Sequence, residues 1–156
     1  NMVGDFTTTT LSGEDFTREQ LGDVVFFAFL NPNAEGTQTF YDALAEGYDG
    51  VVENGADIVA CTKSESGNEL FAEAPFPVIL YNESLKAAIG GNSGMVEDEE
   101  TPNTASWYVN GSFLSAWYSS VDAEELPASA AAFVEMSREP AFEGGNGRGA
   151  AMAPMG

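Results

Sequence analysis

The sequence predicts an α/β fold that opens with a β-hairpin, and two runs of residues carry that prediction. Val24 to Leu30, VVFFAFL, is apolar without a break, rich in β-branched and aromatic residues, and bounded by Gly22-Asp23 and Asn31-Pro32. Such a run reads as a strand buried on both faces; a buried helix is the competing reading, but the run is short for one. It leads through a polar turn into Gln38 to Leu44, where Phe40, Tyr41 and Leu44 recur at helical spacing. Ala56 to Thr62, ADIVACT, follows as a second buried strand. The junction between the first strand and the helix is where many α/β folds keep their chemistry, because strand ends and free helix N–H groups converge there. Here it holds Asn, Pro, Ala, Glu, Gly and Thr, with no strong nucleophile, base or metal-ligand set.

The remaining elements follow from local signals. Asp5 to Thr10 is Thr-rich and extended; Leu11 to Asp15 suits a hairpin turn, and Phe16-Thr17 pairs back. Thr17 is an N-cap for a short turn over Arg18 to Leu21, with Gln20 at the reciprocal position of a capping box. The helix that begins near Ala34 to Thr37 is expected to end at Gly47 or Gly50, each a reasonable C-cap. Beyond the second strand come a helical turn at Glu69 to Glu73, a short apolar segment at Val78 to Leu80, and a short helix over Leu85 to Ile89 closed by Gly90-Gly91. Asn92 to Thr101 reads as loop. Ser106 to Val109 and Phe113 to Tyr118 read as strands joined by Asn110-Gly111, a strong two-residue hairpin signal. Asp122 with Glu125 forms a capping box for a last helix that has Pro127 in its first turn. Residues 1–139 are thus expected to form one domain, and residues 140–156 a Gly/Ala/Pro-rich tail with no core of its own.

Charge is the outlying property. Five Lys plus Arg against twenty-five Asp plus Glu leave a net charge of −20. Nucleic acid and anionic lipid are poor partners for such a surface, since both are bound through Lys and Arg. High salt, an acidic or extracytoplasmic compartment, or a basic docking partner suits it better. There is no His, so no Ser-His or Cys-His relay and no imidazole metal site is available. The single Cys, Cys61, has no internal disulfide partner; within a strand it reads as core, with a reactive thiol as the alternative. Glu97-Asp98-Glu99-Glu100 lacks the spaced pattern of a calcium loop and reads as a solvated acidic run. No metal and no cofactor is expected. No apolar run is long enough to insert in a membrane. A chain beginning at Asn1 fits a mature form left after removal of a targeting peptide, and a trimmed chain equally. Asn82-Glu83-Ser84 and Asn110-Gly111-Ser112 match the glycosylation pattern, which short sequons do often by chance. Alternation sends Trp107 and Tyr108 to opposite faces, and likewise Trp117 and Tyr118, one face core and the other a candidate contact patch, with core for all four as the alternative.

In this order the elements resemble the thioredoxin-like superfamily, in particular its peroxiredoxin (thiol-specific antioxidant) and thiol-disulfide oxidoreductase branches. The resemblance covers about Val3 to Val134 and is carried by Phe6-Thr7, Leu11-Ser12-Gly13, Leu21-Gly22, the run Val24 to Leu30, Phe76-Pro77-Val78, Thr101-Pro102-x-Thr104 before the hairpin Gly111, and Asp122 to Leu126. It implies a central mixed β-sheet flanked by helices. It also implies where activity would reside, and there the family pattern is missing. The oxidoreductase C-x-x-C falls on Ala34 and Thr37; with Pro32 as the proline of the peroxiredoxin P-x-x-x-T-x-x-C motif, the peroxidatic thiol falls on Thr39. Thiol chemistry needs a thiolate, which a Thr hydroxyl without a base does not replace. The resemblance further implies that Pro102 is cis and exposes the backbone of Thr101 for strand-like peptide binding, beside the acidic rim Glu97, Asp98, Glu99 and Glu100.

The expectation is a redox-inactive thioredoxin-like protein, not an enzyme, that serves as a binding or structural subunit of a larger assembly. Its partner would be a basic protein met by the acidic surface and residues 140–156; a peripheral subunit in an organelle lumen, such as the thylakoid, or outside the cytoplasm is one setting. The alternatives are a single-cysteine redox protein using Cys61 and a soluble acidic protein of a halophile.

Overall fold

A computed structural model describes residues 2–62, 68–90 and 102–139. A five-stranded mixed sheet forms its centre, built from β3 (Val24–Phe29), β4 (Asp57–Thr62), β5 (Val78–Leu80), β6 (Thr104–Val109) and β7 (Ser112–Phe113) in the order β5-β4-β3-β6-β7. The apolar run at Val24 becomes the middle strand: β3 pairs parallel with β4 and antiparallel with β6, so both its edges and both its faces are covered. Every residue of β3 is buried, as an unbroken apolar strand requires. Alternation divides it. Val24, Phe26, Ala28 and Leu30 pack toward α1 (Thr37–Glu53) and α4 (Leu126–Ser137), whose Phe40, Leu44, Val51, Leu126 and Val134 complete that half of the core. Val25, Phe27 and Phe29 face the other side, with Leu85 and Ile89 of α3 (Glu83–Ile89) and with Val3, Phe6 and Phe16.

The hairpin forms as expected, β1 (Thr7–Thr9) against β2 (Asp15–Thr17), and Gly13 takes a positive φ of 95° at its turn. Thr17 and Gln20 engage as the capping box predicts, the Thr17 N–H donating to Gln20 Oε1 at 2.8 Å. The helical turn in the Glu69 region is α2 (Asn68–Phe71), and Val78 to Leu80 is an edge strand.

Four expectations need correction. Helix α1 does not stop at Gly47 or Gly50; it continues to Glu53, and Gly55, with φ 92°, follows its end. Both glycines face α4: a Cβ on Gly47 would lie 2.9 Å from Leu126 Cδ1 and 3.0 Å from the Ala123 carbonyl, and one on Gly50 would lie 2.5 Å from Pro127 Cγ. They are notches for a neighbouring helix, and the contact they permit outweighs their poor helix propensity. The strand expected over Phe113 to Tyr118 is reduced to the two residues of β7, because the Ser106 hydroxyl, 3.0 Å from the Leu114 carbonyl and 2.7 Å from that of Ala116, holds the chain as a loop. The chain rejoins the sheet only at the Tyr118–Ala105 bridge. The capping box at Asp122 and Glu125 does not cap α4; Asp122 Oδ1 accepts from the Glu124 N–H at 2.9 Å in a turn before the helix, which starts at Leu126 with Pro127 next. Finally, Trp107 and Tyr108 do face opposite sides, but both sides are core. Of the four aromatics only Tyr118 is exposed, and it packs edge-on against Phe26.

A polar contact ties α1 to β4. The Tyr48 hydroxyl donates to Asp57 Oδ1 at 2.8 Å, and burial, then that bond to a carboxylate, push the Tyr48 pKa from 10.0 to about 12. The unfolded chain therefore ionises first: this stabilisation is complete below pH 10 and is lost as pH rises from 10 to about 12. Urea midpoints measured across that range should fall for the wild type and fall less for Tyr48→Phe, which starts about 1 kcal/mol lower through the lost hydrogen bond. Equal slopes would mean that Tyr48 does not contribute.

Candidate functional site: a turn without thiols

The turn between β3 and α1 lies at the end of the most buried strand, where the sequence places the family's chemistry. Its hydrogen bonds close a ring. Asn31, the second residue past the strand, donates its N–H to Asn103 Oδ1 at 2.8 Å. Asn103 Nδ2 donates to Thr37 Oγ1 at 2.9 Å, and the Thr37 hydroxyl lies 2.6 Å from the Asn31 carbonyl and 2.9 Å from that of Ala34. Asn31 also folds the turn locally: its Oδ1 accepts from the Asn33 N–H at 3.0 Å and its carbonyl accepts from the Ala34 N–H at 2.9 Å. Gly36 follows with φ 83°, a left-handed conformation that opens α1.

Asn31, Thr37 and Asn103 are all buried. Polar groups at such depth cost free energy unless paired, and here each pairs with another member of the ring. Thr37, at one of the two positions matched to the oxidoreductase cysteines, is thus a structural clamp between the turn and the chain that enters β6. Ala34, at the other, is half-buried and brings only a methyl group; Thr39, matched to the peroxidatic position, is exposed. No group here is a thiolate, an imidazole or a paired acid and base. What the arrangement offers is a rigid shape. A cleft of about 340 Å³ opens beside it, bounded by Glu35 and Thr39 on the helix side, Pro102 and Asn103 on the β6 side, and Ser119 and Ser120.

Cys61 is not part of this site. It is fully buried in β4, paired in register with Phe29, and burial pushes its thiol well above the ordinary range. Pro102 is exposed at the cleft, as a binding role requires. Thr101, Glu97, Asp98, Glu99 and Glu100 lie outside the described residues, as does residue 101 of the Thr101–Pro102 bond expected to be cis; among the described residues no peptide bond is cis. Residues 140–156 also lie outside them. Sequence reasoning missed Asn31 and Asn103. Their one signal is polarity at the ends of buried strands, Asn31 just after β3 and Asn103 just before β6.

A central mixed sheet between α1/α4 and α3, an N-terminal hairpin, and a strand-to-helix turn beside Pro102 define a thioredoxin-like fold, here without the catalytic cysteines. Solved structures agree. The chain is similar to copper-bound yeast Sco1, with a TM-score of 0.64 and 16% identity over 91% of this chain and 97% of that one. It is similar to copper-bound ScoI of Bradyrhizobium japonicum, with a TM-score of 0.62 and 15% identity over 85% and 99%. It is also similar to the thioredoxin domain of a thiol-disulfide oxidoreductase from Bacteroides vulgatus, with a TM-score of 0.63 and 13% identity over 86% and 96%. These likenesses establish the fold and do not single out the peroxiredoxin branch. No family model and no curated protein matches the sequence. No helix among the described residues is long and apolar enough to cross a membrane.

Proposed function

We propose that this chain is a redox-inactive thioredoxin-like protein that works as a binding or structural subunit of a larger protein assembly. The observation that carries the reading is the hydrogen-bonded ring of Asn31, Thr37 and Asn103, which occupies the place of a thiol pair and holds the cleft beside Pro102 in one shape. Preorganisation of this kind serves recognition, since a partner need not order the turn on binding. Thr101, Pro102 and the acidic run Glu97 to Glu100 are the residues assigned to contact it.

The partner is basic. Helix α1 starts at this turn and carries Asp42, Glu46, Asp49 and Glu53 along its exposed side, with no Lys or Arg anywhere in the helix. Like charges three and four apart cost a helix about 0.2–0.5 kcal/mol per pair. A cationic partner offsets that cost and is steered to the surface by it. Residues 140–156 are assigned to the same docking, and a lumenal (for example thylakoid) or extracytoplasmic setting fits an acidic peripheral subunit.

Two of these similar structures hold copper, and the described residues of this chain bring together no group of three His, Cys, Asp or Glu that could hold a metal ion. Copper favours thiolate, thioether and imidazole ligands. The chain has no His and its one Cys is sealed in the core, which leaves the thioethers of its five Met as its soft donors. The same burial weighs against a redox role for Cys61.

The test is isolation from the native source under mild conditions, with sizing, mass spectrometry and thiol labelling. The expected result is a stable large complex that dissociates as salt rises, with Cys61 unreactive until urea unfolds the chain. A free 16.5 kDa species whose native Cys61 reacts at once would overturn the reading. A chain that unfolds at low salt and stays monomeric at every salt concentration would instead favour the acidity of a halophile.

A further inference from the structure

We infer that a second groove, between the tip of the β1–β2 hairpin and the α2–β5 connection, is a seat for an extended Lys- or Arg-bearing segment of a partner protein. The groove has a volume of about 530 Å³, against about 340 Å³ for the cleft at the turn, and among the described residues the two share no lining residue. Its floor is apolar, formed by Leu11, Pro77, Phe71 and Phe76. Its rim holds two exposed carboxylates, Glu14 and Asp15, and among the described residues no Lys or Arg lines it. An apolar trough under a negative rim matches the two halves of a basic side chain, whose aliphatic stem packs on hydrocarbon while its cationic head stays at the wet edge.

The wall is preformed. Leu11 donates its N–H to the Val78 carbonyl at 3.0 Å, and Thr10 bridges to Ile79, so the hairpin tip is pinned to the sheet edge. Within the tip, the Glu14 N–H donates to Thr10 Oγ1 at 3.1 Å and the Thr10 and Ser12 hydroxyls share a 2.9 Å hydrogen bond. Among the described residues strand β2 pairs only with β1, and a strand with an unpaired edge can take up an extended segment. Charge complementarity chooses the occupant: a neutral apolar segment would leave both carboxylates facing hydrocarbon, and an acidic one would be repelled.

The experiment uses the full chain labelled with ¹⁵N and a synthetic peptide, acetyl-Arg-Val-Arg-Val-Arg-amide, with its Glu-for-Arg counterpart as control. The expected result is amide shift changes confined to Leu11 to Gln20 and Phe71 to Val78 with the basic peptide, and none with the acidic one. Glu14→Gln with Asp15→Asn should weaken binding about five- to tenfold, the effect of two exposed ion pairs. Ala72→Trp, at an exposed lining position, fills the trough without altering charge and should abolish it. Shifts centred on α1 or on the Pro102 cleft, equal binding by the charge-neutral variant, or no binding at all would each overturn the inference. Because the two clefts share none of the described residues, failure here leaves the proposed role of the turn intact.

Discussion

Asn103→Ala is expected to lower the free energy of unfolding by about 2–4 kcal/mol, a large effect for removing one amide. The size follows from what is left behind. The buried Asn31 N–H loses its acceptor and the Thr37 hydroxyl loses its donor, and each stranded group bears its own desolvation penalty of about 1–3 kcal/mol. Thr37→Val attacks the same ring from the other side, freeing Asn103 Nδ2 and leaving the Asn31 carbonyl with the Ala34 N–H as a donor. In a double-mutant cycle the two losses should fall well short of adding, because the second substitution removes groups that the first has already orphaned. Urea unfolding measures the cost, and amide exchange at Asn31 to Gly36 localises it. A loss below about 0.5 kcal/mol for Asn103→Ala, the range of ordinary surface changes, would mean the ring does not hold the turn.

Gly47→Val should be comparably damaging, at about 3 kcal/mol, though the residue sits in a helix where glycine is normally the poorer choice. Replacing a helical glycine by alanine gains about 1 kcal/mol of propensity. Here a Cβ would meet the Ala123 carbonyl at 3.0 Å and Leu126 at 2.9 Å, and a backbone oxygen does not rotate away. Overpacking costs about 1–3 kcal/mol, and a branched side chain reaches the upper end. Gly47→Ala should therefore lose stability despite its better propensity, and pairing it with Leu126→Ala should cost less than the two separately. A higher melting temperature for Gly47→Ala would show that α4 does not pack this closely.

These two effects mark the division between what was legible in the residues and what was not. Strand β3 was plain because a fully buried strand has a local signature: every side chain is apolar, and the bounding Gly-Asp and Asn-Pro pairs stop the run. The hairpin at Gly13, the capping pair Thr17 and Gln20, and the Asn110-Gly111 turn were equally local. Gly47 and Gly50 carry the same letters as helix terminators, and what distinguishes them, Leu126 and Pro127, lies far along the chain. The turn was legible as a place and as a loss, since Ala34, Thr37 and Thr39 visibly lack sulfur. It was not legible as a gain, because Asn31, Thr37 and Asn103 become one network only when β3 and β6 are paired. Ser106 shows the same limit: nothing near it announces that its hydroxyl holds the chain after β7 away from the sheet.

The place of β3 at the centre of the sheet also bears on how the chain is made. Its neighbour on one side is β4, but its neighbour on the other is β6, with Val24 opposite Val109. During synthesis the run VVFFAFL therefore leaves the ribosome long before the strand that seals its second edge, and for that interval it is an exposed, uncharged, β-prone segment of the kind that seeds aggregates. Long-range pairing of this sort also closes slowly. The carboxylates flanking it on both sides in sequence keep the nascent chains mutually repelling, so the acidity of the finished protein also serves as a solubility device for the unfinished one.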